Sequence, residues 1–149
     1  MPIGAICTRD VVCTGRDTTV SAAAHIMRER HVGNLIVVDE VDGARLPVGI
    51  VTDRDIVLGV ISLKLDPDIF TVGDLLHGEL ITARDTQGIF ETIEQMRTQG
   101  VRRMPIVNEK GYLVGIVSLD DLVRLIASEL NEIANLMRWE QQREHLLRT

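Results

Sequence analysis

The sequence predicts an α+β protein made of two tandem β-α-β-β-α units and an extended C-terminal helix, and three observations carry that prediction. The phrase "GIVTDRDI" at residues 49–56 returns as "GIVSLDDL" at 115–122. A constant shift of 69 positions superposes Gly4 on Gly73, Val11-Val12 on Leu80-Ile81, Val20 on Ile89, Met27 on Met96 and Val32 on Val101. A helical pattern starting at Leu119 then runs on well past the point where the first unit stops. Internal repetition at such a period is the signature of a duplicated structural unit. The units fall at 1–65 and 66–130, with residues 131–149 as the helical extension.

The elements follow in order. "DTTVSAAAHIMRERHV" sets Val20, Ala23, Ala24, Met27 and Val32 on or near one face of a helix with charges opposite, and "TQGIFETIEQMRTQGV" repeats the pattern with Ile89, Ile93, Met96 and a terminating Gly100. "NLIVV" and "PVGIV" are β-branched runs joined through Asp42-Gly43, and "MPIVNEKGYLVGIV" is a tighter hairpin turning at Lys110-Gly111. The first hairpin loop is three residues longer, so past it the shift falls to 66; a surface loop is where such a difference costs least. "SLKLDPDIFTVGD" reads as a Pro-containing linker into the second unit.

The repeated phrase delivers an apolar strand to Thr52 or Ser118 as helix N-cap, with Asp55 or Asp121 three residues on. A hydroxyl and a carboxylate at this spacing form a capping box, which satisfies the first amides of the helix. The same geometry serves a ligand: amides at a helix N-terminus attract an anion, and an aspartate beside them can accept both hydroxyls of a vicinal diol. Phosphate donors next to a diol acceptor describe a nucleotide half-site.

Composition narrows the choice of function. The chain of 149 residues is 45% hydrophobic, enough for a real core, and its net charge of −6 leaves it without a general basic surface for nucleic acid or an acidic membrane. No apolar run approaches the roughly 18 residues of a membrane span, and the opening "MPIGAICTRD" lacks the basic segment and apolar core of a signal peptide, so a cytoplasmic location is expected. Cys7 and Cys13 read as reduced and packed, with no second ligand pair for zinc. His25, His31, His77 and His145 show no HExxH spacing, and no GxxxxGK[ST] phosphate loop is present, so neither metal nor catalytic cofactor is expected. A nucleotide would be read and not consumed.

Over residues 1 to 130 the chain resembles a tandem pair of cystathionine-β-synthase (CBS) domains, the Bateman module. The resemblance rests on Gly49-Ile50-Val51-Thr52 with Asp55 and on Gly115-Ile116-Val117-Ser118 with Asp121, in register with the repeated pattern. It implies two units packed through their sheets with pseudo-twofold symmetry, and a regulatory, non-enzymatic role as a sensor of AMP, ADP, ATP or a related adenosyl compound. It also implies two clefts, each drawing on both units. One would combine Arg103, Ser118 and Asp121 with Val12, Val32, Gly33 and Asn34; the other would combine Thr52 and Asp55 with Ile81, Val101 and Arg102.

The two clefts differ at one informative position. Arg103 aligns with Asn34, and a charged, forked guanidinium is a stronger phosphate donor than a neutral amide, so Arg103 marks the better phosphate site unless it is a surface charge paired with a neighbour such as Glu109. The first unit also has Ile36 where the second has the family's common proline, Pro105. Beyond Ser128 the last helix carries a stripe of Leu130, Ile133 and Met137, with Trp139 at its end, which needs cover either from its own domain or from a second copy. The sequence therefore reads as a stand-alone, homodimeric module that binds an adenine nucleotide and acts through a partner protein. The alternative is a ligand-free scaffold whose Thr/Ser and Asp pairs are caps alone.

Overall fold

The computed structural model describes residues 1–148, which separate into a unit from Met1 to Val117 and a second from Ser118 onward. In the first unit, β1 (Cys13–Thr14) is followed by α1 (Val20–Arg30), β2 (Asn34–Val41) and β3 (Ala44–Thr52). A short α2 (Asp53–Ile56) then opens into a wide π-type turn at Val57–Ile61. The pattern returns as β4 (Ala83–Arg84), α3 (Ile89–Gln99), β5 (Arg103–Val107) and β6 (Leu113–Ser118). The second unit is one long helix, α4 (Leu119–Arg148).

Each repeat makes a three-stranded sheet, ordered β1-β2-β3 and β4-β5-β6. The opening strand runs parallel to its neighbour, Cys13 opposite Ile36 and Ala83 opposite Ile106. In the first sheet β2 and β3 then pair antiparallel, with Asn34 opposite Thr52. A parallel pair needs a crossover, and α1 and α3 supply it. The sequence placed the tighter hairpin at Lys110-Gly111, but β2 and β3 are joined by Asp42-Gly43 alone, at φ of 51° and 76°, while residues 108–112 join β5 to β6, so the three extra residues of the first hairpin lengthen its strands.

The first half of β2, at Leu35, Ile36 and Val37, is buried on both faces, which explains the apolar run there. Leu35 and Val37 meet Val20, Ala23 and Met27 of α1, together with Val51, Ile56 and Val60. Ile36 joins Val11 and Leu113, flanked by Cys13, Val38, Ile50 and Ile116, in a layer that binds the two sheets face to face. Ala24, expected on the buried face of α1, is exposed. At 100° per residue it lies on the margin of the arc set by Val20, Ala23 and Met27. The matching arc of α3 includes Thr92, which is fully buried; its hydroxyl donates to the carbonyl of Gly88 at 2.8 Å and accepts from the side-chain amide of Gln87 at 3.2 Å.

The segment read as a linker is part of a sheet-edge exchange. The amides of Val72 and Gly73 donate to the carbonyls of Thr18 and Arg16, both at 2.9 Å, so the chain that leads into the second repeat lies against the first. Sixty-nine residues earlier, Ile3 and Gly4 donate to the carbonyls of Gln87 and Asp85 at 2.7 and 2.9 Å, so the chain that leads into the first repeat lies against the second. The bridges Thr19–Thr71 and Pro2–Gly88 obey the same symmetry. Four glycines permit this close approach. A Cβ on Gly4 would meet the carbonyl oxygen of Asp85 at 2.8 Å, and one on Gly73 that of Arg16 at 3.0 Å; Gly49 lies under Leu76, and Gly115 under Cys7.

Candidate functional site

The exchange creates a cavity. Where Leu76 crosses Gly49, the following residues His77 to Ile81 turn along β3 and enclose, with Val48, Ile50, Val101, Arg103 and Pro105, a space of about 200 Å³. Its walls are mostly strand backbone and apolar side chains, with His77, Glu79 and Arg103 as the polar groups. A shallower hollow of about 440 Å³ adjoins it, shares Val48, Gly78, Glu79 and Leu80, and reaches Arg16 and Thr82.

The two arginines beside these hollows are in different electrical states. Arg16 is committed: its Nε donates to Asp39 at 2.9 Å, its Nη2 donates to the same carboxylate at 3.1 Å, and these hydrogen bonds hold the Asp39 carboxyl below the usual carboxylate range. Arg103, half-buried at the start of β5, makes no hydrogen bond or ion pair among the described residues. The surface pairing with Glu109 considered from the sequence is not made. An uncommitted guanidinium in a small cavity, presenting several donors, is suited to an anion.

The structure brings Arg103, expected in the cleft of Ser118 and Asp121, together with Ile81 and Val101, expected in the cleft of Thr52 and Asp55, in this one cavity. Thr52, Asp55 and Arg102 do not line it, and Arg102 is exposed. Thr52 and Asp55 form a complete capping box: the Thr52 amide donates to Asp55 Oδ2 at 2.8 Å, and the Asp55 amide donates to Thr52 Oγ1 at 3.1 Å. The other carboxylate oxygen of Asp55 and the hydroxyl proton of Thr52 are left for a further partner. Asn34 faces Thr52 across β2 and β3, while Gly33 accepts from the Asp53 amide at 3.0 Å and Val12 from the Ile36 amide at 3.1 Å. Val32 is half-buried at the end of α1.

In the second unit Ser118 and Asp121 make the equivalent box more tightly. The Ser118 amide and hydroxyl both donate to Asp121 Oδ2, at 2.9 and 2.6 Å, and the Asp121 amide donates back to Ser118 Oγ at 3.2 Å. A third box, which sequence reading passed over, stands at Thr71 and Asp74, where the Thr71 amide donates to Asp74 Oδ2 at 2.9 Å. At the head of a helical turn the Thr/Ser-x-x-Asp spacing is thus a capping device in all three places, and any ligand role must come from the groups it leaves unspent.

Sequence reading also missed His77 and Glu79 as lining residues. The available signal was the repeat itself, since the 69-residue shift that identified Leu80-Ile81 extends back through this loop. Both cysteines are free; burial, the first cause, pushes both thiols up, with Arg45 partly offsetting this at Cys13, where its Nη1 stands 3.3 Å from Sγ. Among the described residues no group of three or more His, Cys, Asp or Glu is placed to hold a metal ion. No helix there is long and apolar enough to cross a membrane.

Comparison with known proteins agrees with this architecture. The CBS domain family model matches twice, at residues 3–62 and 72–128. Hypoxic response protein 1 of Mycobacterium tuberculosis is 36% identical over 114 residues, 76% of this chain and 77% of that protein. An uncharacterized protein of Methanopyrus kandleri is 33% identical over 123 residues, 83% of this chain, which spans 61% of that protein's length. Among solved structures, Hypoxic Response Protein I with two coordinated zinc ions superposes with a TM-score of 0.72 at 34% identity, covering 83% of this chain and 98% of the other. A CBS domain protein from Pyrobaculum aerophilum complexed with AMP superposes with a TM-score of 0.75 at 28% identity, covering 89% and 99%.

Proposed function

The chain belongs to the CBS domain family, and on that premise we propose that it is a regulatory module that binds an adenine nucleotide and passes the binding event to a partner protein as a cytoplasmic homodimer. The observation that carries this reading is Arg103, a half-buried guanidinium with no hydrogen bond or ion pair among the described residues, which lines a cavity together with apolar side chains, His77 and Glu79 and offers donors for a phosphate. The AMP found in the Pyrobaculum relative supports the choice of ligand class. ADP, ATP and related adenosyl compounds share the same ribose and base. The unspent carboxylate oxygens of Asp55 and Asp121 supply diol acceptors for the ribose. Nothing in the proposed reading requires chemistry at the nucleotide; the module is a sensor and not a catalyst.

Two measurements test it. Native mass spectrometry of freshly purified protein should show a retained nucleotide mass and the subunit count. In calorimetry, Asp121→Ala should weaken AMP binding by about one to two orders of magnitude, since a hydrogen bond to a charged group is worth about 1.5–3 kcal/mol. The rival reading is a ligand-free scaffold, and the third box at Thr71 and Asp74 favours it, because it shows the same residue pair forming a cap outside the repeated phrase. Unchanged AMP affinity in a folded Asp121→Ala variant would select the scaffold.

A further inference from the structure

Two charged side chains of opposite sign line the cavity, and neither is paired among the described residues. Arg103 is one. The other is Glu79, exposed on the loop that runs along β3, whose carboxylate makes no hydrogen bond or ion pair there. The repeat shows why this carboxylate is left open. At the 69-residue shift Glu79 stands on Asp10, which Arg30 meets at 3.6 Å. The counterpart of Arg30 is Gln99, so the second repeat keeps the carboxylate and lacks its cation.

Glu79 also marks a boundary. With Val48, Gly78 and Leu80 it lines both the cavity of about 200 Å³ and the adjoining hollow of about 440 Å³. The free donors lie on one side of it. Arg103 and His77 line the cavity but not the hollow, whereas the arginine of the hollow, Arg16, is held by Asp39 at 2.9 and 3.1 Å.

These placements limit how much phosphate the site can serve. The cavity is smaller than the roughly 300 Å³ at which sites for whole small molecules begin, so a nucleotide with a phosphate on Arg103 extends beyond it. One phosphate meets the guanidinium. A second must either crowd into the same space or run outward past the Glu79 carboxylate, toward a hollow whose cation is already spent. Every added phosphate brings more negative charge, and like charges brought close repel.

We infer that Glu79 is a specificity-determining residue of this cavity, which admits an adenosyl ligand with one phosphate and turns away di- and triphosphates. This deepens the proposed nucleotide reading and rests on it, adding the number of phosphates that the site takes. The test is calorimetry on the full chain in magnesium-free buffer at fixed ionic strength, with adenosine, AMP, ADP and ATP as probes. The wild-type chain should bind AMP more tightly than ADP, and ADP more tightly than ATP. In Glu79→Gln, which keeps the shape and removes the charge, ATP affinity should rise about two- to tenfold relative to AMP, the size expected of exposed charges, while adenosine affinity stays within about twofold. Glu79→Asp, which keeps the charge, should retain the wild-type order. Because the side chain is exposed and bonded to nothing among the described residues, both variants should melt with the wild type. A wild-type chain that binds ATP as tightly as AMP, or an equal gain for adenosine and ATP in Glu79→Gln, overturns the inference and leaves the nucleotide reading standing. Failure of all four probes to bind the wild-type chain overturns both.

Discussion

Arg103→Ala separates a phosphate donor from a surface charge. Because the Arg103 guanidinium has no hydrogen bond or ion pair among the described residues, its removal orphans no carboxylate there and breaks no hydrogen bond. The stability cost should therefore stay within about 0.5 kcal/mol, as for a substitution away from any buried network. The effect on binding should be larger. One charge-assisted hydrogen bond to phosphate is worth about 1.5–3 kcal/mol, and every 1.4 kcal/mol is about tenfold, so AMP affinity should fall about ten- to hundredfold. Adenosine, which lacks the phosphate, should lose almost nothing. Arg103→Lys should recover part of the loss, because it keeps the charge but not the fork. Asn34→Ala, at the matching position of the first repeat, should reduce AMP and adenosine binding alike. Calorimetry with both ligands at fixed ionic strength decides the matter. Equal losses for AMP and adenosine in Arg103→Ala would show that the side chain shapes the cavity and does not meet the phosphate.

Two further predictions concern the scaffold. His31 ends α1 in the left-handed conformation, φ 53° and ψ 44°, where the second repeat has Gly100 at φ 66°; with its side chain exposed, His31→Gly should relieve about 0.5–1 kcal/mol and raise the melting temperature by about 1–4 °C, and a lowered one would refute the strain. Gly4→Ala would drive a methyl into the backbone of Asp85, whereas Gly49→Ala meets only the flexible end of Leu76. Urea unfolding should show the first to be the more damaging, by about 1–3 kcal/mol, and the reverse order would contradict the exchange as described.

Much of this protein was legible one repeat at a time. The hairpins announced themselves through Asp42-Gly43 and Lys110-Gly111, and the capping boxes through a hydroxyl three residues before an aspartate. Interactions of that range lie within a few residues of each other, so local sequence specifies them. Ala24 was misjudged and Thr92 passed over for one reason: residue type alone says little about which margin of a helical arc meets the core. The site was less legible. Ile81 and Val101 were set in one cleft and Arg103 in the other, whereas all three line one cavity, and His77 and Glu79 were missed because nothing in their own chemistry marks that loop as a wall.

By itself, then, the sequence determined the duplication, the order of elements within each copy and the cap at the head of each closing helix. It could not determine which copy each leading segment covers. Residues 2–5 and 71–74 carry the same pattern, so packing at home and packing on the other repeat satisfy the same local preferences. Only the tertiary structure decided for exchange, through the hydrogen bonds of Gly4 to Asp85 and Gly73 to Arg16 and the room left by glycine at each crossing. The state of each arginine was settled at the same level. Arg16 meets Asp39 across 23 positions of chain, Arg103 pairs with no carboxylate among the described residues, and a charge is spent or free according to what folding brings beside it.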